Sequence, residues 1–198
     1  AEILRVFRAH GSERPAYGPI VGSGPNATIL HHRKNDRRMA AGDLLLIDAG
    51  CELDYYASDV TRTFPVSGTF GPEQRALYEL VLRAQRACVE AVRPGTTLDA
   101  VHEVAVREIA AGLVELGLVE GPVDDAIEQE RYKPFFMHRT SHWLGMDVHD
   151  VGLYYLGGEA RPLEPGMVLT VEPGVYVGPA AEVDARWPPP GRDEHFLD

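Results

Sequence analysis

Two runs of strand-forming residues, Leu44-Leu45-Leu46-Ile47-Asp48 and Tyr55 to Phe64, constrain this chain more than any other feature, because each carries an aspartate and a short connection joins them. The first run is continuously apolar and ends in a carboxylate. The second is rich in aromatic and β-branched residues, as strands are. A hairpin centred between Leu53 and Asp54 sets Asp48 directly opposite Asp59, with Cβ atoms roughly 5 Å apart. At an effective dielectric of ~20, two carboxylates at that spacing repel by on the order of 3 kcal/mol. Folding tolerates this only with a proton or a cation between them. The alternative is a register slipped by one residue, which sends the two side chains to opposite faces and makes both ordinary.

A length of 198 residues suits one domain with a sizeable core. The formal net charge of -11 argues against a nucleic-acid backbone or an anionic membrane surface as the main partner. Arg33-Lys34-Asn35-Asp36-Arg37-Arg38 reads as a solvated loop before a strand rather than a phosphate-binding or nuclear-localisation patch. Cys51 and Cys88 fall in a predicted strand and a predicted helix without motif spacing, so the expectation is a reducing compartment, the cytoplasm, with neither a disulfide framework nor a zinc knuckle. No apolar run approaches the ~18 residues of a membrane span and no signal peptide is visible, which reads as a soluble protein. The first residue is Ala1, inside what reads as an amphipathic helix from Ile3 to His10, so the chain reads as a fragment or a processed product.

A Gly/Pro-rich segment from Gly18 to Pro25 follows that helix, then Thr28-Ile29-Leu30 leads into His31-His32. After the hairpin, Gly71-Pro72-Glu73 starts a helix, and Leu77, Leu80, Val81, Ala84, Cys88 and Ala91 repeat along it until Arg93-Pro94-Gly95. Thr96-Thr97-Leu98-Asp99 opens a second helix, whose stripe of Val101, Val104, Ala105, Ile109, Leu113 and Leu116 ends at Gly117. Both stripes read as core packing. A short acidic helix around Asp124 to Glu130 precedes two predicted strands, Phe135-Phe136-Met137 and Met167 to Val171. Strands, then helices, then strands again give an α+β organisation. Trp187-Pro188-Pro189-Pro190-Gly191 cannot lie in a central strand.

His138, His142 and His149 fall within twelve residues, and a four-residue gap separates the first two. No Glu follows His138, and the local residues do not favour a helix, so the zinc-peptidase arrangement of two helical histidines with a glutamate is absent. Taken singly, each histidine is more readily a hydrogen-bonded, partly buried side chain. Glu172 ends the second predicted strand, just before Pro173-Gly174, where the backbone turns sharply. Together, Asp48, Asp59, His142 and Glu172 supply three carboxylates and one imidazole, a set that suits Mn²⁺, Co²⁺ or Zn²⁺ better than metals that prefer thiolates.

Four segments resemble the bacterial Xaa-Pro aminopeptidase (aminopeptidase P) family. They are Leu46 to Glu52, Ser58 to Pro65, Ser141-His142-Trp143-Leu144-Gly145-Met146-Asp147-Val148-His149-Asp150, and Leu163 to Gly174. The likeness runs from Ala1 to about Trp187, and it implies a pita-bread (creatinase/aminopeptidase-type) fold, truncated at both ends, in which helices cover a curved antiparallel sheet. The expected division is a catalytic domain over residues 1–187 and a divergent Pro-rich tail over 188–198. On the family pattern Asp48, Asp59, His142 and Glu172 hold two divalent ions, foremost Mn²⁺ with Co²⁺ or Zn²⁺ as alternatives, and Glu172 also handles a proton. His31 and His138 border the pocket for the substrate proline, His149 hydrogen-bonds the substrate near the scissile carbonyl, and Tyr176 braces the ligand carboxylates.

The activity so implied is release of the N-terminal residue from peptides with proline in the second position, through a hydroxide bridging the two ions. The partners it implies are peptide substrates, no nucleic acid and no membrane, with a homo-oligomer in the full-length enzyme. Two alternatives stand beside it: a prolidase (Xaa-Pro dipeptidase) on the same fold, and a non-catalytic peptide- or protein-binding module if the second metal site is lost. The chain departs from the family near its end, where a fifth ligand, a Glu in an Arg-Ile-Glu-Asp-Asp stretch, is expected. Arg192-Asp193-Glu194 keeps the Arg-x-Glu spacing and places Glu194 22 residues after Glu172, but the preceding prolines oppose regular strand pairing. Glu194 is thus the candidate fifth ligand and Arg192 its neighbour in support. The resemblance also carries the expectation that this fragment lacks the N-terminal non-catalytic domain usual in the family.

Overall fold

A computed structural model describes residues 1–178. The expectations for Arg192, Glu194 and the Pro-rich tail lie outside the described residues. The described residues divide into two compact units, one formed by Ala1–Arg75 with Trp143–Val151, the other by Ala76–His142 with the described residues from Gly152 onward.

The first unit is built on the expected hairpin, in a different register. Helix α1 (Glu2–Ala9) leads to the short strand β1 (Arg14–Pro15) and to β2 (Ile20–Ser23), and a 3-10 turn over Gly24–Thr28 follows. The hairpin arms are β3 (Leu44–Asp48) with β4 (Cys51–Leu53), then β5 (Tyr56–Ala57) with β6 (Thr61–Pro65). Leu53 pairs with Tyr56 and Asp48 with Thr61, so the turn is centred between Asp54 and Tyr55, one residue later than expected. Moving the centre by one residue moves every partner by two. Asp48 therefore faces Thr61, and Asp59 becomes its diagonal neighbour. A two-residue displacement keeps both carboxylates on one face, as a one-residue slip would not.

The turn itself explains the shift. Asp54 and Tyr55 have φ of 51° and 65°, the two left-handed residues that a two-residue hairpin turn of the favoured twist requires. An Asn-Gly or Asp-Gly pair would have announced that turn, and a tyrosine in its second position does not.

The edge strand beside the first arm is interrupted at a telling place. Arg14 pairs with Glu52 and Ile20 with Asp48, so six steps along the edge span only four along the hairpin. The two extra residues bulge out over Tyr17–Pro19, between Ala16, whose N–H donates to the Gly50 carbonyl at 2.9 Å, and Ile20. Bulges of this kind re-aim side chains, and here the redirected residue is Tyr17.

Helix α2 (Pro72–Ala91), which lies in the second unit from Ala76 on, and α3 (Leu98–Glu115) carry the core of that unit, and α4 (Val123–Glu128) follows them. Gln74 Oε1 accepts from the Gly71 N–H at 2.9 Å, and Thr97 Oγ1 accepts from the Ala100 N–H at 3.1 Å. Both contacts satisfy donors that a helix start leaves over. Ala84 and Cys88 of α2 meet Val101, Ala105, Ile109 and Leu113 of α3 in one buried cluster, together with Phe136. Full burial of side chains such as Ile109 and Phe136 stabilises by roughly 1.5–3 kcal/mol each. Burial also raises the Cys88 thiol to about 11, the Glu108 charge adding to the effect.

The predicted strand Phe135–Met137 is replaced by a turn, with the N–H groups of Phe135 and Phe136 both returning to the Tyr132 carbonyl at 2.9 and 3.0 Å. Burial of Phe136 in the helical core decides this against β propensity. Residues 167–171 also form no regular strand, but their stretch pairs with a neighbour: Thr170 N–H donates to the His142 carbonyl at 3.0 Å and Glu172 N–H to the Thr140 carbonyl at 2.8 Å. Strands β7 (Tyr155–Leu156) and β8 (Glu159–Ala160) form a small separate hairpin. Among the described residues no helix is long and apolar enough to cross a membrane.

Tyr55 is 75% exposed while its backbone is left-handed, a conformation that costs a residue with a Cβ roughly 1–2 kcal/mol. Tyr55→Gly should raise stability by up to about 1 kcal/mol, a gain of about 2–4 °C in melting temperature for a chain of this size. A lower melting temperature would show that the tyrosine ring contributes more than its backbone costs.

Candidate metal centre

Asp48 ends β3 and Asp59 stands two residues before β6, both half-buried. Their carboxylates meet on a single hydroxyl: Tyr17 Oη donates to Asp48 Oδ1 and lies 2.9 Å from Asp59 Oδ1. A phenol has one proton, so this is a three-centre contact that orients two like charges from one point. The Tyr17 hydroxyl is held far above the usual phenol range, first by burial, then by the hydrogen bond to Asp48 and the charges of both aspartates. Gly50 makes the approach possible. A Cβ there would overlap the Ser58 carbonyl oxygen and come within 2.9 Å of the Tyr17 ring.

The loop carrying His149 belongs to the same unit. Asp150 N–H donates to the Trp143 carbonyl at 3.1 Å and closes the loop, while the Ala57 N–H donates to the Gly145 carbonyl at 2.8 Å. The strand that leads into Asp59 is thereby tied to the loop that holds His149. His31 is exposed, in a turn with φ of 54°, just past the 3-10 turn.

The second unit places His142 Nε2 3.0 Å from Glu172 Oε1, with the His142 side chain 13% exposed. Antiparallel backbone pairing of 140–142 with 170–172 brings them together, and Thr170 completes the arrangement. Its Oγ1 accepts from the His142 N–H at 3.0 Å and donates to Glu172 Oε1 at 2.9 Å. One hydroxyl thus fixes a backbone on one side and a carboxylate on the other.

His138 and Tyr176 also meet here. Their rings are edge-on at 5.5 Å, and His138 is edge-on to Phe136 at 5.2 Å. Gly174 leaves the room, since a Cβ on it would come within 3.0 Å of the Tyr176 ring and 3.2 Å of His138 Nε2. Behind them stands His102 of α3, with Nδ1 2.8 Å from Thr140 Oγ1. Burial lowers the His102 imidazole to about 4, helped by the positive charge of Arg139 and by His138, so the ring is neutral at neutral pH.

The structure therefore joins Asp48 to Asp59, His142 to Glu172, and His138 to Tyr176. Sequence reasoning missed Tyr17, Thr170 and His102. Tyr17 carries no sequence signal, because its position depends on an edge-strand bulge. His102 had one: it lies four residues after the buried Leu98 and seven before the buried Ile109, so a histidine falls on the apolar stripe of α3.

The profile of metallopeptidase family M24 matches residues 1–189, and the chain belongs to that family. Within it the chain is similar to the Xaa-Pro aminopeptidase of Escherichia coli, at 52% identity over 94% of this chain and 42% of that protein. It is 49% identical to the Xaa-Pro aminopeptidase of Haemophilus influenzae, over 94% of this chain and 43% of that protein. Among solved structures, Pseudomonas aeruginosa aminopeptidase PepP superposes with a TM-score of 0.89 at 58% identity, over 93% of this chain and 42% of that one. Zinc-substituted E. coli aminopeptidase P in complex with product gives 0.85 at 54% identity, over 92% and 41%. The fold is the pita-bread fold of these aminopeptidases, and the chain spans less than half the length of the relatives it matches.

The neutral His102 has a measurable consequence in acid. Its folded value of about 4 lies below the ordinary 6.5, so between those limits the unfolded chain binds more protons. Its contribution is complete above pH ~6.5 and is lost as pH falls through about 4, a change on the order of 3 kcal/mol. Melting temperatures at pH 7 and pH 4.5 should converge for His102→Phe relative to wild type. An equal acid-induced drop in both proteins would place the sensitivity elsewhere.

Proposed function

We propose that this chain is part of a metal-dependent aminopeptidase that removes the N-terminal residue from peptides with proline in the second position. One observation carries the reading: Asp48 and Asp59 share a hydroxyl and His142 pairs with Glu172, in a chain about half identical to Xaa-Pro aminopeptidases.

Asp48, Asp59, His142 and Glu172 would hold two divalent ions, with Glu194 as the candidate fifth ligand. The donors are hard oxygens and one imidazole, which fit Mn²⁺, Co²⁺ or Zn²⁺, and our assignment is Mn²⁺. Two like charges oriented by one tyrosine are an arrangement that a cation offsets. When bound, such ions polarise the scissile carbonyl and acidify water.

The chain's own residues would do the rest. Tyr17 and Thr170 orient the carboxylates through Asp48 Oδ1, Asp59 Oδ1 and Glu172 Oε1. The nitrogen of an Xaa-Pro bond is a tertiary amide with no hydrogen of its own, so it must gain a proton before it leaves. Glu172 takes a proton from the attacking water at a carboxylate oxygen and delivers it to that nitrogen. His149 donates a hydrogen bond beside the scissile carbonyl. His31 and His138 border the pocket for the proline ring, and Tyr176, edge-on to His138, braces the ligand carboxylates. The same reading places the enzyme in the cytoplasm, in keeping with two free thiols at Cys51 and Cys88.

The purified chain should bind Mn²⁺ and cleave an Xaa-Pro peptide faster as Mn²⁺ is added. Asp48→Asn should lose bound metal by elemental analysis, and should lose stability only relative to the metal-loaded wild type. Equal metal in both proteins would show the site to be misplaced. His149→Ala should keep its metal and lower kcat by roughly 10² or more. Metal loss in that variant would mean that His149 is itself a ligand.

A further inference from the structure

Helix α3 grips the segment His138–Thr140 at two points one turn apart. Asp99, in its first turn, accepts from the Arg139 guanidinium and from the Tyr155 hydroxyl at 2.9 Å. His102, three residues on, meets Thr140 Oγ1 through Nδ1 at 2.8 Å. Thr140 is only 1% exposed, and its carbonyl accepts the Glu172 N–H at 2.8 Å. A single residue thus connects the imidazole to the backbone of Glu172.

From the geometry we infer that His102 is a positioning residue for Glu172, acting through Thr140. The inference deepens the proposed function and rests on it for the role of Glu172. A purely packing role would be better filled by an apolar ring, because the imidazole lies tilted against Phe136 at 5.5 Å and burying its nitrogens carries a desolvation cost. What the imidazole adds over such a ring is the contact with Thr140. That contact fixes the hydroxyl and so the rotamer of Thr140, in the backbone segment that also holds His142. The ladder then passes the constraint to Glu172 through the Thr140 carbonyl. Thr170 bonds His142 N–H on one side and Glu172 Oε1 on the other, and so holds the carboxylate itself. Partners one step behind a ligand set its orientation and with it metal affinity.

Three variants of this chain separate positioning from packing. His102→Phe keeps the ring and loses the hydrogen bond, Thr140→Val keeps the shape and loses the hydroxyl, and His102→Asn loses ring packing but keeps a polar group at the place of Nδ1. The readouts are Mn²⁺ affinity by calorimetry, exchange of the Glu172 amide, kcat and KM on an Xaa-Pro peptide, and melting temperature.

His102→Phe and Thr140→Val should weaken Mn²⁺ binding roughly tenfold, within the range for lost outer partners, and speed Glu172 amide exchange. Both should lower kcat about tenfold with KM within about twofold. His102→Asn should stay within about threefold of wild type in Mn²⁺ affinity and kcat, although it melts below His102→Phe. That inversion of order is what packing alone does not produce. Wild-type Mn²⁺ affinity and Glu172 exchange in His102→Phe, or losses that follow melting temperature across the three variants, would overturn the inference. Should His102→Phe not fold, Thr140→Val decides by the same measures. A wild type that binds Mn²⁺ but cleaves no Xaa-Pro peptide would defeat the proposed activity, while metal affinity and amide exchange would still decide the role of His102.

Discussion

The contact on which the first unit turns is the convergence of Asp48 and Asp59 on the hydroxyl of Tyr17. Two carboxylates on the same face of one hairpin repel, and a fold retains such a pair only where something offsets the repulsion. Several local features accompany that pair. The edge strand carries two extra residues so that Tyr17 can turn inward. Gly50 lacks the Cβ that would keep the second arm and the tyrosine ring away. The hairpin turn puts a tyrosine in a left-handed conformation and sets a register in which both acids share a face. Each costs a little on its own, and together they point to a site where conformational stability has been spent on placing charge.

The second unit holds its polar residues in the opposite way. Its core is an ordinary packing of α2 against α3 around Phe136, and the polar chemistry is a thin layer on that base. Thr140 and Thr170 are both buried, both hydrogen-bonded, and both attached to the segments that carry His142 and Glu172. Buried hydroxyls are tolerated only with partners. Two threonines in one ladder, each serving a neighbour that can bind a cation, make a rigid support for an imidazole and a carboxylate 3.0 Å apart. The helix stripe beneath them is therefore more than packing at one position, His102, where the apolar pattern admits a histidine.

Much of this could be seen in the sequence. The carboxylate-bearing strand and its aromatic, β-branched partner are recognisable from composition, both long helices from their 3.6-residue stripes, and the α3 start from Thr97. What escaped was decided over distance or by sterics. The hairpin register turned on which two residues could take positive φ, and Asp54-Tyr55 does not advertise that. The stretch at Phe135–Phe136 has strand-like composition, yet burial against α3 makes it a turn.

By itself the sequence determined the periodicities, the family motifs, and the chemical set of Asp48, Asp59, His142 and Glu172, because side-chain identity and local spacing are written in the order of residues. Tertiary structure decided which atoms meet. Tyr17 reaches two aspartates more than thirty residues away, and His102 reaches Thr140 across 38 positions. Such contacts depend on a bulge, a missing Cβ and the packing of a helix, and those become definite only when distant segments exclude water from one another and must satisfy each other's polar groups.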